Sequence, residues 1–342
     1  MNALDFFDLL SLGGGLSLFL FGMKLMSSEL ENSAGDKTAY MLSKFTENKY
    51  KAFLTGLVSA AAIQSSSAVT VMVIGFVNSG MMTLKNAVGV IIGSNIGTTV
   101  TSWILSTSGI GGGTFLLDLM KPASLGAVSS IIGIILLNIQ QSNKNQKNSG
   151  KILLGFSILM FGMKMMSDSV SHLKDAPWFT QMLVLFKNPI AGIFAGIILT
   201  AIIQSSSASV GILQALSLTG EISFAACIPI VLGQNIGTCV TTLIASAGAK
   251  KCAKCAAFIH LYFNVLSVLG FAVIFYFITG LINIPFLNES VNSVDIAAIH
   301  TVFNVASAAV MMPLSGFLEK IAKRTVFRSD EAADIVIYRN LF

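Results

Sequence analysis

The sequence predicts an all-α polytopic membrane protein made of two inverted-topology repeats, each with a re-entrant helical hairpin, plus one extra C-terminal transmembrane helix. Three observations carry this: a shortage of charge, a series of long apolar segments, and three motifs that recur at one fixed spacing. Of 342 residues, 54% are hydrophobic and 11% charged, and the mean hydropathy is +0.79, whereas soluble domains carry about 25% charged residues. A water-facing surface needs that missing charge, so most of this surface faces a lipid bilayer. Apolar stretches of spanning length recur along the chain between short polar segments.

The beginning of the chain, MNALDFFDLL, carries Asp5 and Asp8 where a cleavable signal peptide would carry basic residues. The first apolar stretch therefore reads as a retained helix. A net charge of +5 resides in loops rather than on one soluble face, which argues against a nucleic-acid partner. The four cysteines are Cys227, Cys239, Cys252 and Cys255. The last two form a lone CxxC in a short basic segment, and this reads as reduced thiols in a cytoplasmic loop rather than a metal or redox site.

Repetition organises everything else. Phe21–Ser27 (FGMKLMS) recurs as Phe161–Ser167 (FGMKMMS), Gln64–Ala68 (QSSSA) as Gln204–Ala208, and Gly93–Ser102 (GSNIGTTVTS) as Gly233–Thr242 (GQNIGTCVTT). Every pair lies 140 residues apart, and 18 of 22 positions match without a gap. The predicted spans in the first half are about 6–28, 84–108 and 115–138, with an interrupted apolar segment at 52–77. The second half repeats them at 152–170, 190–218, 222–246 and 256–281, and one more span follows at 295–319. The organisation expected is a first repeat at 1–140, a second at 141–290, an extra helix at 291–320 and a cytoplasmic tail at 321–342.

The segment 52–77 decides the topology. Its 26 residues are too few for two crossings of about 20 residues each. It either crosses once, leaving the halves parallel, or dips in and returns with Gln64–Ser67 at its tip, leaving them inverted. Lysine and arginine placement sets the orientation: in the hairpin version only Lys121, Lys174 and Lys187 lie on one side, Lys24 and Lys164 lie within spans, and the other sixteen of 21 share the opposite side. That places the N-terminus outside and the C-terminus in the cytoplasm. With single crossings Lys85 changes side and the split is 15 to 4, so charge does not choose between the versions. Residue chemistry favours the hairpin, because polar irregular backbone at membrane depth is tolerated only where it is buried in protein or lines a cavity.

No Asp or Glu falls mid-span; Asp118, Glu221 and Asp295 read as end or loop positions. Proton relays and carboxylate metal cages usually need intramembrane acids. Neutral oxygens abound instead, on Ser65–Ser67, Thr98, Thr99, Thr101, Ser205–Ser207, Thr238, Thr241, Asn95 and Asn235. If Ser66–Ala68 and Ser206–Ala208 open returning half-helices, two helix N-termini offer backbone N–H groups and positive dipole ends to one anion. Hydroxyl and carbonyl oxygens beside them suit sodium. The Asn-Ile-Gly-Thr stretches read as glycine-loosened helix that brings Asn and Thr to the same depth. His260/Asn264 and His300/Asn304 are i,i+4 pairs that can share a hydrogen bond, suited to helix packing or, as the alternative, to a direct substrate role, and Lys24 and Lys164 read as snorkelling side chains. A serine hydrolase using His260 or His300 is disfavoured, since the serine cluster is duplicated and no orienting acid is available.

Paired Gln-Ser-Ser-Ser and Gly-x-Asn-Ile-Gly-Thr, with His-x-x-Phe-Asn at 260 and 300, resemble the type II sodium–phosphate cotransporter family and its bacterial relatives over roughly residues 10–320. The resemblance implies a secondary active transporter in the cell (inner) membrane, not an enzyme, that takes up inorganic phosphate with sodium by alternating access. Sodium is then the coupling ion, no cofactor is implied, and a homodimer is an admissible assembly. The phosphate set it implies is Gln64, Ser65, Ser66, Ser67 and Asn95 with Gln204, Ser205, Ser206, Ser207 and Asn235. The sodium set is Gln64, Ser65, Ser66, Thr98 and Thr99 with Gln204, Ser205, Ser206 and Thr238. Cys239 stands at the counterpart of Thr99, so one hydroxyl is lost in the second half. Residue chemistry leaves open a symporter of another small oxyanion or carboxylate.

Overall fold

The computed structural model describes residues 3–107, 119, 121–139, 143–173, 181 and 184–339; Asp118, Lys174 and the start of the span expected at 115–138 lie outside them. Among the described residues the regular structure is helical, apart from one antiparallel bridge between Ser223 and Ser290. The helices are α1 (Ala3–Lys44), α2 (Lys49–Ile63), α3 (Ser66–Ser79), α4 (Leu84–Ser106), α5 (Pro122–Asn138), α6 (Lys144–Leu173) and α7 (Pro189–Ile203). They continue as α8 (Ser206–Ser217), α9 (Phe224–Gly237), α10 (Cys239–Ala245), α11 (Lys251–Leu281), α12 (Ser293–Met311) and α13 (Ser315–Arg339). Six helical segments among the described residues are long and apolar enough to cross a bilayer. Outward faces carry stripes such as Ile190, Phe194, Ile198 and Ile202, all exposed, as a lipid-facing helix requires.

Backbone chemistry repeats at the spacing of the motifs. Asn48 caps α2 through the N–H groups of Tyr50 and Lys51, and Asn188 caps α7 through those of Ile190 and Ala191. Ser65 accepts from Ala68 N at the start of α3, and Ser205 from Ala208 N at the start of α8, at 3.1 and 3.2 Å. All four described positive-φ residues fall into two pairs 140 apart: Gln64 and Gln204, Gly80 and Gly220.

Helix directions follow from close approaches at glycine. In α4 a side chain on Gly89 would meet Lys49 and Phe53, one on Gly93 would meet Phe53 and Leu57, and one on Gly97 would meet Leu57 and Ala61. Contact advances along both helices together, so α2 and α4 run parallel. The intervening α3 must then return the chain from Gln64 to the level where α4 begins, and α2–α3 is a fold-back. The second half repeats this: Gly233 lies against Ile193, and Gly237 against Ile197 and Ala201, so α7 and α9 run parallel and α8 returns between them. In the first half the glycine does not loosen its helix, contrary to the sequence expectation, since α4 continues unbroken through Gly97. In the second half the helix is interrupted within the motif, at Thr238 between α9 and α10. The missing side chains let two backbones approach.

The repeat-related helices α1 and α6 cross in opposite directions. Gly15 meets Gly162 and Met166, while Gly22 meets Gly155 and Leu159. Nearby, Lys151 of α6 bonds Glu29 of α1 at 2.9 Å. α1 continues as helix to Lys44, beyond the predicted end of the span near 28, and α12 stops at Met311 rather than 319. The chain then turns at Met312–Leu314, containing Pro313, and α13 packs back on α11, where Tyr262 and Thr325 share a 2.7 Å hydrogen bond.

Candidate functional site

The two fold-backs meet tip to tip. Each turn is two residues long, a left-handed Gln followed by an extended Ser. A non-glycine residue in that region carries a cost of about 1–3 kcal/mol, so both turns hold a strained backbone at the same position. Ser207 Oγ donates to Gln64 O at 3.4 Å, linking one tip to the other, and Thr241 Oγ1 donates to Gln204 O at 3.3 Å. A cavity of about 630 Å³ opens at this junction. It is lined by Gln64–Ser67 and Gln204–Ser207 from the turns and by Lys24, Ser27, Ser28 and Glu31 from α1.

The turns present helix starts to this space. α3 begins at Ser66 and α8 at Ser206, matching the half-helix starts read from the sequence. Ser65 and Ser205 use their hydroxyl oxygens to cap their own helices. The first-turn N–H groups that such a cap does not satisfy need another acceptor. Gln64 Oε1 is buried and has no hydrogen-bond partner. Neutral donors, two positive helix ends and uncommitted oxygens suit a small oxyanion accompanied by a monovalent cation.

Of the residues singled out from sequence, Gln64–Ser67 and Gln204–Ser207 line the cavity together. Asn95, Thr98, Thr99, Asn235 and Thr238 do not line it; all five are buried. Their side chains donate back to their own helices: Asn95 Nδ2 to Ile91 O, Thr98 to Ser94 O, Thr99 to Ile96 O, Asn235 Nδ2 to Val231 O and Thr238 to Gln234 O. Donation leaves their oxygen lone pairs available as acceptors or ligands. Cys239, at the counterpart of Thr99, has its one S–H within reach of Asn235 O and His260 O, and its sulfur accepts from Asn264 Nδ2.

The histidines pack helices. His300 Nδ1 bonds Ser102 Oγ at 2.9 Å and His260 Nδ1 bonds Thr242 Oγ1 at 3.0 Å. Ser102 and Thr242 are themselves 140 apart, so α12 does for the first half what α11 does for the second. Asn264 and Asn304 donate to the carbonyls of His260 and His300 rather than to their rings. The Ser102–His300 pair is fully buried and has a duplicate with threonine, which suits a structural clasp and not a nucleophile. Sequence reading missed these partners, and it missed Thr241 as a brace on the second tip. The signal for Ser102 and Thr242 was their place in the repeated block, but no local rule ties either to a histidine.

Known proteins resemble this chain in sequence over both halves. A sequence model described as Na+/Pi-cotransporter matches residues 18–168 and 158–286. A Bacillus subtilis protein called uncharacterized protein YqeW is 31% identical over 328 residues, covering 92% of this chain and 96% of its own. A Salmonella typhimurium protein named "putative inorganic phosphate export protein YjbB" is 25% identical, over 93% of this chain and 56% of its own. Sodium-dependent phosphate transport protein 2A of Rattus norvegicus is 40% identical over 91 residues, 25% of this chain and 14% of its own. The chain thus spans nearly all of the Bacillus protein and little more than half of YjbB. No solved structure matches it. With the family model matched across both halves and a near full-length relative at 31% identity, the chain belongs to the Na+/Pi-cotransporter family.

Proposed function

We propose that the protein couples sodium to the uptake of inorganic phosphate by alternating access, at a site between the two Gln-Ser-Ser-Ser turns. The observation that carries this reading is one cavity lined by both turns, with the starts of α3 and α8 at its wall. Phosphate is held by the first-turn N–H groups that the caps leave free and by Gln64, Ser65, Ser66, Ser67, Gln204, Ser205, Ser206 and Ser207, together with Asn95 and Asn235. Sodium takes oxygens from Gln64, Ser65, Ser66, Gln204, Ser205 and Ser206 together with Thr98, Thr99 and Thr238. Bound cations lower the cost of burying the anion, so each ligand favours the other. The antiparallel crossing of α1 and α6 supports an inverted pair of repeats, with hairpins re-entrant from opposite sides. In that arrangement the N-terminus lies outside and the C-terminus in the cytoplasm of the cell membrane.

The decisive experiment is phosphate uptake into liposomes holding the purified protein, driven by an inward sodium gradient. Uptake should collapse when choline replaces sodium. Accumulation driven by a proton gradient alone, without sodium, would overturn sodium coupling. Export is a second reading, favoured by the name of the Salmonella relative YjbB, which matches 93% of this chain at 25% identity. Cells overproducing the protein distinguish the two, since an exporter lowers internal phosphate while a sodium-driven importer raises it.

A further inference from the structure

We infer that Lys24 is the counter-charge for the transported anion, left available because Ser28 stands where its duplicate lysine has a carboxylate partner. The inference rests on the phosphate reading and adds to it a charged residue outside the duplicated turns. Lys24 and Lys164 occupy the same place in the two copies of Phe-Gly-Met-Lys. Lys164 is neutralised locally: its Nζ bonds both carboxylate oxygens of Asp168, one turn on, at 2.7 and 2.8 Å. The counterpart of Asp168 is Ser28, whose hydroxyl donates to Leu25 O at 3.0 Å and offers no charge. Among the described residues no carboxylate pairs with Lys24.

Location separates the two lysines further. Lys24 lines the cavity that holds both Gln-Ser-Ser-Ser turns, whereas Lys164 lines a separate surface pocket with Asp8 and Asp168. The acids nearest to Lys24 on its own helix do not satisfy it. Glu29 is committed to Lys151 at 2.9 Å. Glu31 lines the same cavity but lies seven residues on, about 10 Å along the helix axis. The turns themselves are formally neutral, so a phosphate dianion held by them alone keeps its full charge in a partly dehydrated site. An ammonium on the cavity wall, with no competing carboxylate in contact, answers that need, and the missing partner of Lys24 is the anion. Lysine serves as a compact point charge rather than a planar fork, which suits an ion that must also leave.

The test is equilibrium binding of inorganic phosphate to the purified full chain in detergent, with sodium present, for the parent and for Lys24→Gln, Lys24→Arg, Ser28→Asp and Lys164→Gln. Lys24→Gln should raise the Kd for phosphate roughly five- to tenfold, with the sodium concentration for half-saturation unchanged. Ser28→Asp should do the same with the lysine intact, by giving it the partner that Lys164 has. Lys24→Arg should stay near the parent, and Lys164→Gln should match it. Rising choline chloride should weaken phosphate binding in the parent more than in Lys24→Gln, as charge screening demands. A parent that binds no phosphate overturns the underlying reading. A parent that binds, together with a Lys24→Gln variant of equal affinity, overturns this inference alone. It is also overturned if Lys24→Arg is as impaired as Lys24→Gln, or if Lys164→Gln shows the same loss.

Discussion

Replacing Gly93 with alanine tests the hairpin architecture at the point where its geometry is tightest. A methyl group there would lie 2.8 Å from Phe53 C and 3.0 Å from Leu57 N, both backbone atoms of the ascending arm α2. The carbonyl oxygen of Phe53 would be closer still, and ordinary contact begins near 3.4 Å, so α2 must retreat by more than an ångström, and backbone cannot rotate out of the way as a side chain can. Overpacking of this kind costs roughly 1–3 kcal/mol. Gly233→Ala meets the same obstacle at Ile193, whose carbonyl carbon would be 2.8 Å away. Both arms end at the left-handed glutamines, so displacement reaches the cavity. Gly75→Ala is the matched control: nothing lies within 4 Å of the added methyl, and the second half already has Ala215 at that position. Within α3 that change should stabilise by about 0.5–1 kcal/mol through helix propensity alone. Thermal unfolding in detergent and sodium-driven phosphate uptake should both fall for Gly93→Ala and Gly233→Ala and hold for Gly75→Ala. Equal melting and transport for all three would refute the parallel packing of α2 on α4 and of α7 on α9.

Two further outcomes follow from the same geometry. Ser66→Leu and Ser206→Leu should each abolish phosphate transport by filling the start of a half-helix, while Ser66→Ala and Ser206→Ala retain measurable phosphate affinity because backbone N–H groups remain; uptake assays on the four variants check this, and parental activity in both Leu variants would count against a shared central site. In a cysteine-free background, Lys85→Cys should react with impermeant thiol reagents from the cytoplasmic side and Glu221→Cys from outside. Labelling of position 85 from outside would exclude the fold-back as a re-entrant element.

How far the sequence could be read depended on whether a feature leaves a local mark. The repeat was plain because its motifs keep one spacing without a gap, and the turns were found by polarity, with four consecutive polar residues inside an apolar segment. Their left-handed backbone was not legible, since Gln64 and Gln204 occupy a conformation that usually selects glycine or asparagine. The end of α1 was misplaced because apolar length reports depth in a bilayer. Residues 29–44 leave the apolar regime but keep good helix formers such as Glu29, Leu30, Glu31, Met41 and Leu42. The glycines of Asn-Ile-Gly-Thr were read through their own helix, which is interrupted only in the second half, whereas both also admit the backbone of the neighbouring helix. Lys24 looked like its copy Lys164, and it is the cavity, together with Ser28 in place of Asp168, that tells them apart.

The clasp between Ser102 and His300 has a consequence for how the protein is made. Its partners are 198 residues apart in the chain, whereas Thr242 and His260 are separated by 18. At about 5–20 residues per second of synthesis, the second clasp can close within roughly 1–4 s of Thr242 being added, while Ser102 waits roughly 10–40 s for His300. During that wait the inner face of α4 is in the membrane without α12, which later covers it. The clasp of the first half is thus the last to close.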